Sequence, residues 1–162
     1  LEARDVVAVA RGDAGAPEDL RRRAVQLGGA VLELAGHAAT GDGGTQAAAI
    51  LRDGRAWRKL QAICEAQGGM RTPPVALQRA PFLARRDGRI AGIDNRRLAR
   101  AAKLAGAPSD PAAGLECHVR IDDRVAQGQP LFTLHADTIG ELEYAQDYLA
   151  VHHDIVRIEE TP

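Results

Sequence analysis

Leu115-Glu116-Cys117-His118-Val119-Arg120-Ile121, then a turn-like run from Asp122 to Gly128, then Pro130-Leu131-Phe132-Thr133-Leu134-His135, decides how the chain is read. Leu115, Cys117, Val119 and Ile121 alternate with Glu116, His118 and Arg120, the period of two that predicts a half-buried strand. Pro130 to His135 is expected to be another strand. Thr138 and Glu141 read as a capping box ahead of a helix striped by Ile139, Leu142, Ala145 and Leu149, and Ile155 to Glu160 as a last strand. Working backwards, Phe82 to Asp94 reads as a β-hairpin around Asp87-Gly88, a dipeptide that tolerates a tight type I′ turn. Asp94 or Asn95 caps a helix carrying Leu98, Ala101, Ala102 and Leu104, which Gly106 and Pro108 stop. The second half is therefore α+β: hairpin, helix, strands, helix, strand.

The rhythm upstream is different. Glu2 to Arg11 reads as helix, and a second helix begins near Pro17, with Glu18 and Asp19 in a first turn that favours acids. Leu20, Ala24, Leu27, Val31 and Leu34 fall at spacings of four and three, a single apolar stripe that Gly36 ends. Gly41-Asp42-Gly43-Gly44 leads into a short helix from Thr45. Asp53 is expected to cap a helix striped by Trp57, Leu60, Ile63 and Cys64, ending at Gly68-Gly69. The two stripes need more partner area than they offer each other. Between Gly68 and Pro81 the periodicity stops, and Pro73-Pro74 marks a linker. The expected organisation is a helical segment over 1–70, a linker over 71–80 and an α+β domain over 81–162. Leu1 enters an amphipathic pattern at once, so the sequence is expected to be a piece of a longer protein.

Composition narrows the function classes. The formal net charge is -1, from 21 basic and 22 acidic residues, so neither nucleic acid nor an anionic membrane is an expected partner. No apolar run reaches membrane-spanning length, and nothing has the layout of a signal peptide. Cys64 and Cys117 are too few for a disulfide scaffold or a zinc site, and both fall on apolar faces, the expectation being buried reduced thiols in the cytoplasm.

Several fragments, taken in order, resemble the pyrimidine-nucleoside phosphorylase family, which includes thymidine phosphorylase and the related AMP phosphorylases. In the second half these are Gly88-x-Ile90-x-x-Ile93-Asp94-Asn95, Leu98-Ala99-x-x-Ala102-x-Leu104-Ala105-Gly106-Ala107 and Asp123-x-Val125-x-x-Gly128-Gln129-Pro130-Leu131-Phe132. In the first half they are Pro17-x-Asp19-Leu20, Leu32-Glu33-Leu34-Ala35-Gly36 and the helix from Gly54-Arg55-Ala56-Trp57 to Gln67-Gly68-Gly69. The Ile93-to-Ala99 stretch is closer to the long archaeal and bacterial variants. The resemblance implies a C-terminal α/β-hammerhead-like module and an enzyme in which phosphate attacks the anomeric carbon of a nucleoside. It implies a Lys-His-Ser phosphate loop and an Arg/Ser/Lys base site as well. Neither motif occurs in this chain, whose only serine is Ser109. No catalytic, substrate-binding or metal residue is therefore assigned, and no cofactor is expected. The resemblance aligns Asp5 with a carboxylate that helps hold a monovalent cation; the family usually has Glu there, and Asp5 is read as a solvated helix residue. The partners expected are the rest of the parent enzyme, phosphate and a pyrimidine nucleoside in the whole protein only, and a second copy of the chain. The competing class is a non-catalytic structural or interaction module with the same fold.

Three further motifs invite functional readings. Gly41-Asp42-Gly43-Gly44-Thr45 resembles an anion-cradling loop, yet it follows a helix rather than a strand, and a plain connection is expected. Gly114 to Leu134 resembles biotinyl and lipoyl carrier domains, but a carrier lysine sits on a hairpin tip, whereas Lys59 and Lys103 fall on predicted helices. His118, His135, His152 and His153 are read as surface or capping residues, since no metal-ligand spacing joins them.

Overall fold

The computed structural model describes residues 1–160. The chain is α+β and divides into two compact units, Glu2–Pro73 and the residues from Pro74 onward.

The first unit is helical: α1 (Glu2–Arg11), α2 (Glu18–Leu34), α3 (Gly43–Arg52) and α4 (Arg55–Ala66). Glu18 and Asp19 occupy the first turn of α2 as expected. Its end is a Schellman cap: Gly36, at φ 71, lets its own N–H reach the Glu33 carbonyl while His37 N–H reaches that of Leu32. Helix α4 closes with the same pair of hydrogen bonds, Gly68 to Glu65 and Gly69 to Cys64. Asp53 lies one residue before the N-cap position of α4, which is Gly54, but its carboxylate still accepts from Arg55 N–H at 3.0 Å.

The packing of α2 departs from the apolar stripe. Leu27, Val31 and Leu34 are 57%, 63% and 89% exposed, whereas Gly29 is buried. The contact side of α2 is chosen by its glycines rather than its leucines. A Cβ at Gly29 would lie 2.6 Å from Gly44 N, and one at Gly43 would lie 2.2 Å from the Gly29 carbonyl oxygen. The α2 and α3 backbones touch at that crossing, an approach only two glycines allow.

The second unit holds two three-stranded antiparallel sheets. One has the order β1-β5-β3, from Gln78–Leu83, Pro130–Ala136 and Gly114–Cys117; the other has β4-β2-β6, from Arg124–Val125, Gly88–Ile93 and Val156–Glu159. The expected hairpin from Phe82 to Asp94 is therefore wrong. Both strands exist, but β1 pairs with β5 (Phe82 opposite Phe132) and β2 pairs with β4 and β6. Ala84 N–H donates to the Gln129 carbonyl and Gly128 N–H to that of Ala84, so the chain leaves β1 along the first sheet before Asp87-Gly88 is reached. Local turn chemistry lost to distant pairing partners.

The strand expected from Leu115 to Ile121 is shorter than its alternation. Strand β3 ends at Cys117, and Ile121 is 58% exposed. Beyond it His118 N–H still bonds the Leu131 carbonyl, after which the chain turns toward the second sheet, where Asp122 N–H bonds the Ile90 carbonyl. The turn from Asp122 to Gly128 contains the two-residue strand β4. The last strand starts at Val156, after a 3-10 turn at His153–Ile155.

Both helices of this unit start as the sequence predicts. The Asp94 carboxylate caps α5 (Asn95–Leu104), accepting from Arg96 and Arg97 N–H. Thr138 and Glu141 form the reciprocal capping box of α6 (Ile139–Val151). Leu98 and Ala101 of α5 and Leu142, Ala145 and Leu149 of α6 join Ile90, Phe132, Leu134 and Ile158 in one core, where Phe82 stacks on Phe132 at 4.7 Å.

Candidate functional site

The glycine loop before α3 holds an anion of its own. The Glu33 carboxylate, carried by the last turn of α2, accepts from Gly41 N–H at 3.1 Å and Gly43 N–H at 2.9 Å. Free N–H groups at a helix start attract negative charge, and here a protein side chain supplies it. The loop is a helix cap from a neighbouring element. The sequence holds the signal, an acid at the end of one helix eight and ten residues before the glycine N–H groups it caps.

Asp5 lies exposed on α1. Among the described residues no group of three or more His, Cys, Asp or Glu is placed to hold a metal ion. Lys59 sits on α4 and Lys103 on α5, both exposed. The described residues include no helix long and apolar enough to cross a membrane.

The cysteines and histidines correct the sequence reading in part. Cys64 is half-buried, and Cys117 is exposed at the end of β3, an edge strand. Partial desolvation pushes the Cys117 thiol up, which leaves it a weak nucleophile. His118 Nε2 lies 2.7 Å from Thr133 Oγ1 at the surface, and His152 Nδ1 lies 2.8 Å from the Tyr148 carbonyl at the end of α6. His135, expected at the surface, is instead 2% exposed, with Nε2 3.3 Å from Glu116 Oε2. Its strand is the middle one of its sheet and is covered on both faces near its end, so it has no polar side to offer.

Two carboxyls of the second unit titrate as neighbours. Asp110, in the connection after α5, shares a hydrogen bond with Glu141 of the capping box, and this bond with the adjacent charge raises the Asp110 pKa. The Thr138 hydroxyl, and then Asp110, hold Glu141 below its ordinary value. In the helical unit Arg11 lies over the Trp57 ring at 4.5 Å, beside a cleft of about 370 Å³ that also takes in Asp13, Glu18, Arg21 and Arg52. Arg21 is already paired with Glu18 at 2.7 Å. None of these groupings joins a nucleophile to a base, or a set of donors to a cleft shaped around a phosphate.

Comparison with known proteins supplies what the geometry does not. The family model described as pyrimidine nucleoside phosphorylase C-terminal domain matches residues 89–155, from β2 to the turn before β6. An Acidovorax protein named "Putative thymidine phosphorylase 1" is 59% identical over 160 residues, which is 99% of this chain. Similarly named proteins of a Polaromonas species and of Legionella pneumophila are 56% and 48% identical, over 99% and 100% of the chain. The chain spans about a third (31%) of the length of each of these relatives. It carries the C-terminal domain of the pyrimidine nucleoside phosphorylase family.

Proposed function

We propose that this chain is the C-terminal part of a thymidine phosphorylase-type pentosyltransferase, and that it does not catalyse the reaction by itself. In that reaction a phosphate oxygen bonds to C1 of the sugar, and the bond from C1 to the pyrimidine nitrogen breaks. The bonding pair leaves with the base, which then takes up a proton. Stabilising that charge needs preorganised donors around the phosphate and the leaving base. This chain has no Lys-His-Ser loop, so both donor sets would belong to the rest of the enzyme. The observation that carries the reading is the contrast in coverage: 59% identity across 99% of this chain, but across only 31% of the relative.

On this reading residues 1–70 are a helical segment of the enzyme's central domain, 71–80 a linker and 81–162 its C-terminal α+β domain. Phosphate and a pyrimidine nucleoside are partners of the whole enzyme, which acts in the cytoplasm. The test is phosphate-dependent release of thymine from thymidine, by the 162-residue chain and by the same chain joined to the remaining sequence of the Acidovorax relative. The fusion is expected to release thymine and the chain alone to match a mock preparation. Release by the chain alone, or none from a folded fusion, overturns the proposal.

A further inference from the structure

Strands β1 and β6 are the outer strands of their respective sheets, and a groove of about 240 Å³ runs between them. Its floor is apolar: Leu131, Val156 and Ile158 are each less than a tenth exposed, and Phe82 is half-buried with its ring backed by Phe132 at 4.7 Å. Its rim is cationic, with Arg85 and Arg86 from the chain after β1 and Arg157 from β6. The one acid in the lining, Asp154, is already held by Arg97 at 2.8 Å.

Two rim arginines are fixed from behind. Arg86 donates to the Ile158 carbonyl, with Nη1 4.0 Å from Glu160, and Arg157 donates to the Ala91 carbonyl at 3.3 Å, with Nε 3.8 Å from Glu159. A guanidinium has five N–H donors in a rigid fork, so each keeps further donors for an anion. The bond from Arg86 also occupies a carbonyl of β6, an outer strand, which disfavours an added peptide strand there. The volume is below that of most drug-sized pockets.

We propose that this groove binds a small planar organic anion, an aryl carboxylate or aryl phosphate. The ring lies against Phe82 and the aliphatic floor, and the charged head meets the forks of Arg85, Arg86 and Arg157. This assignment does not rest on the phosphorylase reading: it is argued from the groove's own residues.

The test is a titration of the 162-residue chain followed by backbone amide NMR shifts. Benzoate and phenyl phosphate are the probes; acetate carries a charge without the ring, and benzyl alcohol a ring without the charge. At least one aryl anion should shift Phe82, Leu83, Val156 and Arg157 saturably, and the aryl anion that binds more tightly reveals which head group is preferred. Acetate and benzyl alcohol should each bind at least about tenfold more weakly. Arg157→Gln and the exposed Arg85→Gln should each weaken aryl anion binding several-fold; neither contributes a core side chain, so folding should survive. Absence of saturable shifts, acetate binding as well as benzoate, or affinity unchanged in both variants overturns the site.

Discussion

The two units bury different things. From Pro74 onward the chain folds around large side chains: Phe132, Ile90, Leu134 and Ile155 are completely buried and belong to one cluster with α5 and α6. In the helical unit the buried hydrophobic residues are Val9, Ala10 and Ala47, and the closest approach is backbone to backbone at Gly29 and Gly43. Four of its large apolar side chains, Leu27, Val31, Leu34 and Ile63, are exposed, while Leu20, Leu32, Ile50, Trp57 and Leu60 are only half-buried. One region has a core of its own, whereas the other has an interface of small residues and an apolar face outside. An amphipathic pattern therefore identifies a helix without saying which side of it packs.

The sharpest way to break this comparison is to cut the same kind of side chain in each region. Phe132→Ala removes a ring that is 0% exposed in a central strand and should cost about 3–5 kcal/mol. Leu34→Ala, at 89% exposure, should stay within about 0.5 kcal/mol. Urea unfolding of both variants reads the difference as a shift in midpoint at constant slope. Comparable losses from the two would show that the Leu34 side of α2 is packed rather than exposed.

A second pair sharpens it within the helical unit. Replacing a helical glycine by alanine ordinarily stabilises by roughly 0.5–1 kcal/mol. Gly44→Ala should follow that rule, since a Cβ there meets nothing within 4 Å. Gly43→Ala, one residue away, should do the opposite. Its Cβ would lie 2.2 Å from the Gly29 carbonyl oxygen and 2.8 Å from Glu33 Cγ, so the crossing must open and the Glu33 cap must loosen. Overpacking of this kind costs about 1–3 kcal/mol. Trp57 lies in the same unit and gives the fluorescence readout. Stabilisation by both substitutions would mean the crossing is looser than the distances say.

How much was legible in advance follows from the range of each interaction. The Asp94 cap and the Thr138–Glu141 box involve residues two or three apart, and both were readable as motifs. So were the ends of α2 and α4. The partner of β1 was not, because Asp87-Gly88 encodes a turn but not which strand follows into which sheet. Phe82 meets Phe132 across fifty positions, and no local pattern carries that information. The burial of His135 depends on the same pairing. The anion-like loop could be dismissed on its context but not explained, since its occupant Glu33 lies on the preceding helix. No catalytic residue could be assigned from the sequence, because the motifs the family resemblance calls for do not occur in this chain.

The smallest effect tests the charges on which the two regions also differ. In the helical unit Arg21 lowers the Glu18 pKa and Arg55 that of Asp53, both through side-chain hydrogen bonds. A carboxyl depressed on folding adds stability above its unfolded pKa and loses it as pH falls through the folded value. Asp154, held by Arg97, behaves the same way in the second unit. Asp110 has the opposite sign. Its folded pKa is raised, so the bond to Glu141 adds stability in full below the unfolded pKa and loses it as pH rises through the folded one. The lowered pKa of Glu141 fits the same pair, with the proton on Asp110 and the charge on Glu141. Asp110→Asn keeps a donor toward Glu141 and removes the titration. The difference in melting temperature, variant minus wild type, should therefore grow as pH is raised from roughly 4, where free aspartate titrates, and then level off once the folded Asp110 has ionised. Both groups are half-buried at the surface and screened by water, so the change should be small beside the Phe132 and Gly43 effects. A difference that stays constant across that range would show that the two carboxyls titrate independently and that no proton is shared between them.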